Sequence, residues 1–451
     1  ALHEKDKSAK ASRQISRSKF FLVVLVCSFA WYVVPGYLFP MLTSISWVCW
    51  VFSKSVTAQQ LGSGMLGLGL GAFTLDWSTV SSYLYSPLIS PFFATANIFF
   101  GYVFFLYVIL PIGYWGFNLY NAKTFPIFSS HLFMSNGTEY NIPSIVNSQF
   151  QLDTDTYDKN GKINLSVFFA VGYGFSFATI AATITHVGLF YGKEIYQRFK
   201  SSQKEKPDVH TKLMKKYSDI PAWWFHSLMA LSIAVALLLC TVLNHEVQLQ
   251  WWGLIFACGM AFIFTLPISI ITATTNQANS PWTCPSDRVF FDASVIWGLV
   301  GPRRIFGPEG NYGALNWFFL IGLAGPVIVY AFHRMFPNQK WIPLINLPVL
   351  FGATAAMPPA TAVNYNSWLL IGTIFNFSVF RYRKMWWTRY NYILSAALDA
   401  GVKFMGVVLY FSLTMQNKSI DWWGTAGEHC PLAKCPTAKG VDLEDGVCPV
   451  F

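Results

Sequence analysis

Five stretches of this chain contain no Asp, Glu, Lys or Arg: Phe20 to Ser53, Trp77 to Ala122, Ile163 to Gly192, Val247 to Ser286 and Trp341 to Phe380. Each is longer than the roughly 20 residues with which a helix crosses the hydrocarbon of a bilayer. Soluble domains are about 25% charged, whereas only 12% of these 451 residues carry a formal charge and 54% are hydrophobic. That balance excludes a disordered chain, a coiled coil, a small disulfide-stapled secreted protein and an ordinary cytosolic enzyme. The expectation is an all-α polytopic integral membrane protein of about 8–10 transmembrane helices, with broken or re-entrant segments.

The net charge of +10 does not point to nucleic acid, because the basic residues flank apolar spans. Six Lys/Arg fall in residues 1–19, eight between Lys193 and Lys216, and four between Arg381 and Arg389. Cytoplasmic loops are enriched in this way, so membrane lipids are the expected partner of these groups. Ala1 to Lys10 has no signal-peptide core and reads as the middle of a longer protein. Cys27, Cys49, Cys240 and Cys258 lie in apolar runs and read as packed thiols. Cys284, Cys430, Cys435 and Cys448 lie in polar segments, where two disulfides form if those segments face an oxidising side. The spacing of Cys430 and Cys435 is a poor zinc pattern.

Spans are expected at about 20–39, 92–115, 165–190, 223–243 and 251–272, and again at about 314–332, 343–357, 361–380 and 391–414. Residues 41–90 hold a Gly-rich run, Leu61 to Ser78, that reads as a re-entrant region, since irregular backbone at membrane depth survives only under protein or beside a water-filled cavity. The polar loop 119–164 contains Asn136-Gly137-Thr138 and overlaps Asn164-Leu165-Ser166, two glycosylation sequons that place it outside the cytosol. Counting sides then yields a contradiction. The basic loop at 193–216 lies inside, so two further spans return residue 273 to the inside. The basic turns at 334–340 and 381–389 are also inside, which forces 278–313 outside. Either 289–300 crosses, or an odd number of spans is absent near 277–280. The chain therefore divides into a carrier segment, 1–277, and a C-terminal membrane segment, 278–451, with a polar Cys-containing tail.

Several strings, VPGYLFPMLTSISWVCW, SPLISPFF, ITHVGLFYGKEI, PWTCPSDRVFFDASVIWGLVGPRRIFG and HCPLAKCP…CPVF, resemble the plant-type branch of the oligopeptide transporter family, and the likeness covers essentially the whole chain. The resemblance implies an all-helical, proton-coupled secondary carrier, with no cofactor expected, that takes small peptides, glutathione or metal–nicotianamine chelates across the plasma membrane. Family members carry an N-terminal Asn-Pro-Gly motif and a membrane block after the ITATTNQ stretch, with a Lys-Ile-Pro-Pro-Arg type motif. Neither motif occurs here, and Asn276-Gln277 runs almost directly into Ser280-Pro281-Trp282. The alternative expectation is a truncated, non-transporting product that associates with a full-length partner.

Ionisable residues in apolar spans are expensive and often functional, at about 2.5–3.5 kcal/mol each on insertion scales. Asp76 follows the Gly-rich run, where transporters build cation or proton sites; an Asp there also caps a helix. Asp399 and Lys403 are spaced i, i+4 on one helix face and suit either a proton-linked switch or a structural pair. His186 suits a proton relay or plain packing. Asn276 and Gln277 offer amides to a peptide backbone or simply end a helix. Arg303 and Arg304 could hold a carboxylate bidentately or stabilise a span end, and Pro358-Pro359 could make a discontinuous helix or a turn. The sequence has no Walker A motif, no HExxH and no GxSxG, which disfavours ATP hydrolysis, protease and lipase chemistry.

Overall fold

The computed structural model describes residues 15–201, 213, 220–277, 287–441, 443 and 446–451. Among them, seven helices are long and apolar enough to cross a membrane: α1 Arg17–Leu38, α2 Phe92–Gly116, α3 Val167–Phe190, α4 Ala222–Val242, α5 Trp251–Thr275, α6 Gly313–Met335 and α7 Lys384–Gln416. Among the described residues, the only ladder is a two-residue pairing in the polar loop, β1 Leu132–Phe133 against β2 Asn164–Leu165.

Small residues bring the long helices together. Ser28 on α1 donates to the carbonyl of Leu398 on α7 at 3.0 Å. A Cβ on Gly401 would stand 2.7 Å from the Leu25 carbonyl oxygen, so only Gly permits this approach. On α6, a Cβ on Gly322 would lie 2.2 Å from the carbonyl oxygen of Ala178 on α3. Between apolar helices in lipid, close backbone packing of this kind replaces the hydrophobic driving force.

The molecule has two distinct faces. The tail donates from Thr437 and Ala438 N–H to the Lys123 carbonyl of the polar loop, at 2.8 and 2.9 Å, and Trp422 donates its indole N–H to Leu38 at the end of α1. The basic ends at Arg17, Lys193, Arg334 and Lys384 lie at the opposite ends of α1, α3, α6 and α7. We refer to the loop-and-tail face as outer and the basic face as inner.

Residues 40–91 cross from outer to inner face in pieces. Ile45 and Phe73 bridge antiparallel and close a lobe, whose Gly69 and Gly71 take positive φ values of 66° and 75°. The chain then descends through the short helix Trp77–Ser81 and the 3₁₀ turn Pro87–Ile89. At its inner end Leu88 accepts from the Asn391 amide at 2.7 Å.

The expected spans at 343–357 and 361–380 are not two crossings. Helix Leu347–Phe351 has five residues, a 3₁₀ turn Gly352–Thr354 follows, 355–361 is irregular, and a helix resumes at Ala362. Both ends return to the start of α2. Asn97 donates to the Leu344 carbonyl and accepts from Asn346 N–H, each at 2.8 Å, and Asn376 donates to the Pro87 and Ser90 carbonyls at 2.7 Å. Residues 344–376 therefore form a hairpin that enters and leaves by the inner face. Pro358 and Pro359 explain its break, since neither offers an N–H and each clashes with a preceding helical turn.

The hairpin tip meets the outer lobe. Val363 N–H donates to Gly64 at 3.0 Å, and the Asn366 amide donates to Gly69 and Ala72 at 2.6 and 3.0 Å. The side-counting contradiction persists in three dimensions. Gln277 donates to Ser90 Oγ at the inner face at 2.7 Å, while Arg288 pairs with Glu139 of the outer loop at 2.9 Å. Residues 289–300 do not supply the crossing, because the chain on their far side is also outer: Tyr312 accepts from Leu165 N–H at 2.6 Å.

Asn376 is buried and holds two carbonyls of a backbone that has no helical partner for them. Asn376→Leu should destabilise the detergent-solubilised protein by about 1–3 kcal/mol, read as a lower thermal midpoint. An unchanged midpoint would show that these carbonyls find other donors.

Candidate functional site

Two cavities lie on either side of the hairpin tip, and Pro358 lines both. The outer one, about 850 Å³, is bounded by the loop residues Ser129, His131, Asn136 and Glu139 and by Lys434 of the tail. The inner one, about 660 Å³, lies between α2, α3, α5 and the hairpin. Its walls combine apolar residues such as Ile98, Met260 and Phe264 with Ser176, Thr179, Tyr83, Tyr85, Gln277 and Trp368. The Ser176 and Thr179 hydroxyls donate to the Gly172 and Phe175 carbonyls of α3 at 3.0 and 2.8 Å, which leaves their oxygens as acceptors. Among the described residues, no Asp, Glu, Lys or Arg lines the chamber. Tyr83 and Tyr85 adopt positive φ of 59° on the descending segment, a conformation uncommon for bulky residues. Trp368 is fixed by donating to the Tyr85 carbonyl at 3.0 Å.

Two residues of the outer wall, His131 and Glu139, belong to a charged cluster completed by Arg288 and Asp292. Arg288 binds Glu139 at 2.9 Å and Asp292 at 3.3 Å. His131 Nδ1 lies 3.5 Å from Glu139 and 3.9 Å from Asp292. Burial pushes the Asp292 carboxyl up from its usual range, against the opposing pull of Arg288 and His131.

The outer frame is held by Glu428, a buried carboxylate of the tail. It accepts from Ser44 Oγ at 3.0 Å, Ser46 Oγ at 2.9 Å, Gly64 N–H at 3.0 Å, Met65 N–H at 3.1 Å and Ser63 Oγ. Charge-assisted bonds of this kind are the strong ones. The disulfides Cys49–Cys430 and Cys435–Cys448 secure the same region. Cys49 is therefore not the packed thiol expected of its apolar run, because the lobe carries it under the tail. Cys284 lies outside the described residues.

The residues singled out from sequence do not form one site. Asp76 caps helix Trp77–Ser81, accepting from Ser78 N–H at 2.9 Å, Thr79 Oγ1 at 3.1 Å and Ser78 Oγ. It also lines a crevice of about 460 Å³ between α1 and α7. Asp399 accepts from the Trp77 indole at 2.7 Å. No ion pair joins Asp399 to Lys403 among the described residues, and Lys403 is exposed; the short carboxylate turns to Trp77, while the long ammonium stem points away. His186 is buried and stacks on Phe190 at 4.5 Å, with no partner for Nδ1 among the described residues. Asn276 donates to Ile89 at 3.0 Å, outside the chamber. Gln277 alone of the set lines the inner chamber. Arg303 lies 3.8 Å from Glu309 and reaches neither cavity. Sequence reasoning missed Glu428, which carries no motif, and the chamber hydroxyls, which look like any other Ser and Thr in an apolar helix.

A membrane chamber and an outer vestibule, divided by a broken hairpin, are the parts from which secondary transporters are built. The profile of the OPT oligopeptide transporter protein family matches residues 1–281 and 274–413. The chain belongs to this family. It is 57% identical to Oligopeptide transporter 4 of Arabidopsis thaliana over all of this chain and 74% of that relative. It is 52% identical to Oligopeptide transporter 2 and 47% identical to Oligopeptide transporter 7 of the same plant, covering 73% and 70% of them. No solved structure matches. Membership makes the chain a transporter-family membrane protein and not an enzyme. The two family matches meet at 274–281, where the crossing count fails. The alignment with Oligopeptide transporter 4 spans 543 positions against 451 residues, so 92 of them have no counterpart here.

Replacing Glu428 with Gln should leave the lobe hydroxyls and amides facing a weaker, half-donating group. We expect a loss of about 1–3 kcal/mol and faster alkylation of Cys49 and Cys430 under mild reduction. Unchanged disulfide protection would show the carboxylate to be incidental to the lock.

Proposed function

We propose that this chain is the core of a proton-coupled symporter of the plasma membrane that carries small oligopeptides or peptide-like molecules, glutathione and metal–nicotianamine chelates included. The observation that carries the reading is the pair of cavities sharing Pro358. Movement of 352–361 against the outer lobe would open the chamber to one face at a time, which is alternating access around a fixed site. The chamber volume lies within the ~300–1,000 Å³ of small-molecule sites. Hydroxyl and amide groups without fixed charge suit a peptide backbone, whose N–H and C=O groups are the same whatever the side chains.

For the proton we propose Asp76 and Asp399. Both are carboxylates on membrane segments linked through Trp77, and neither has a cationic partner within ion-pair distance among the described residues. His186 is the further proton candidate, its Nδ1 unpartnered among the described residues. Asn276, Lys403 and Arg303 lie outside the chamber, and we give them no part in binding.

One observation favours a second reading, a truncated product that inserts without transporting and associates with a full-length partner. Gln277 is inner and Arg288 outer, and a helical crossing takes roughly 20 residues.

Substrate-evoked current in oocytes expressing this chain separates the two. With glutathione, a tetrapeptide or a metal–nicotianamine complex, we expect an acid-dependent, saturable current. Thr179→Ala should raise the half-saturating concentration about fivefold, equivalent to one lost hydrogen bond of ~1 kcal/mol. Asp76→Asn and Asp399→Asn should abolish acid stimulation; unchanged stimulation in both removes them from the coupling. Silence from protein shown to be at the surface would support the truncated reading.

A further inference from the structure

We propose that the outer loop carries one N-linked glycan, on Asn136, and that the second sequon, at Asn164, stays bare. Both fit the acceptor pattern Asn-x-Ser/Thr, so the sequence alone treats them alike. The fold does not.

Asn136 is exposed at the turn after β1. Its Oδ1 accepts from Thr138 N–H at 3.1 Å and from Thr138 Oγ1 at 2.7 Å. An amide has one acceptor oxygen and a nitrogen with two donors. Here the oxygen is occupied, and Nδ2 has no partner among the described residues. The contact between the Asn side chain and the sequon hydroxyl is therefore already made, and the side chain whose nitrogen must react is exposed.

At Asn164 each of these conditions fails. Its Nδ2 donates to Lys162 O at 3.1 Å and reaches Phe133 O at 3.5 Å, and its Oδ1 accepts from Asn311 at 3.3 Å. The sequon hydroxyl, on Ser166, is fully buried. It donates to the Ser129 carbonyl at 2.6 Å and caps α3 by accepting from Phe169 N–H at 3.1 Å. A glycan is bulky and belongs on an open surface, and one on Asn164 would displace Asn311 and open the β1–β2 pairing. Chain position gives an independent reason. Asn164 stands just ahead of α3, which begins at Val167, whereas Asn136 lies well clear of both α2 and α3. Transfer takes place above the bilayer surface, out of reach of a residue beside a membrane helix.

The side of the membrane agrees. The tail that touches this loop holds Cys435–Cys448, and Cys430 is paired with Cys49; disulfides persist on oxidising sides, the side on which glycans are added. In the transfer, Asn136 Nδ2 forms a bond to the anomeric carbon of an oligosaccharide. The bond from that carbon to the pyrophosphate oxygen of the lipid-linked donor breaks, the lipid pyrophosphate leaves with the electron pair, and the amide nitrogen gives up one proton to a base. The product would stand at the rim of the outer cavity, which Asn136 lines.

The test is expression of the full chain in a eukaryotic secretory pathway, followed by peptide-N-glycosidase digestion and gel mobility. One glycosidase-sensitive shift is expected, lost in Asn136→Gln and in Thr138→Ala and retained in Asn164→Gln. Thr138→Ser, which keeps the hydroxyl, should retain it. Protection of Cys49 and Cys430 from alkylation in each variant reports that the chain has folded. A shift that survives Asn136→Gln, a shift lost in Asn164→Gln, or no shift in the unsubstituted folded chain would overturn the assignment.

Discussion

A bilayer offers no water to a broken helix, so each backbone group that leaves the helical pattern must find a partner in the protein. This constraint governs the centre of the molecule, and asparagine meets it. Asn97, Asn364, Asn366, Asn376 and Asn391 all send their amides to carbonyls of the discontinuous segments. The oxygen of the same side chain often takes a donor as well: Asn97 accepts from Asn346 N–H, Asn364 from Thr361 N–H, and Asn366 from the Tyr102 hydroxyl. An amide supplies donors and an acceptor in one short, uncharged group, so it can replace a missing helical turn without placing a charge in lipid.

The two broken segments are secured unequally. The outer lobe is tied by Glu428, by Cys49–Cys430 and by the Gln59 and Gln60 amides, which bond Leu432 and Cys435 of the tail. The hairpin tip rests on that lobe through a few neutral hydrogen bonds at Gly64, Gly69 and Ala72. Neutral bonds contribute about 1 kcal/mol net, and those to a charged group roughly twice as much. If one of the two is to move against the other, the hairpin is the weaker side, and it carries the proline shared by both cavities. The tail is thus better understood as part of the outer frame than as an appendage to the last span.

How much of this the sequence disclosed depended on the range of the interactions involved. Long apolar runs report a local property, hydrophobicity over some 20 residues, and they coincide with α1 to α7, although the five charge-free windows as such cover only α1, α2, α3 and α5. The Gly-rich run announced a broken segment because glycine density is also local. The hairpin at 344–376 was hidden for the same reason, since its two arms are each apolar enough to resemble a span. What makes them re-entrant is the inner location of Leu344 and Asn376, fixed by Asn97, Pro87 and Ser90 from distant parts of the chain. Glu428 and Cys49 are separated by nearly the whole chain, and no pattern in either neighbourhood points to the other. The i, i+4 spacing of Asp399 and Lys403 gave a false lead: it shows that two side chains can meet, and Trp77 offered the carboxylate a nearer donor.

The failed crossing count shows what parity adds when local signals are sound. Each long helix reverses the side of the chain, so one absent crossing inverts every later side unless a second anchor restores it. Here the outer loop restores it, through Arg288 with Glu139 and Tyr312 with Leu165. Those contacts, together with the inner basic turns, orient α6 and α7 independently of anything before residue 277. The second part of the chain therefore finds its orientation from its own anchors, and this is why the hairpin still meets the lobe tip to tip. A segment restored between 277 and 287 would need an odd number of crossings to be compatible with both ends. The 92 unmatched positions over the whole alignment with the Arabidopsis relative set the upper bound on such a segment, which is three helices of about 20 residues with their connections, or one with long loops.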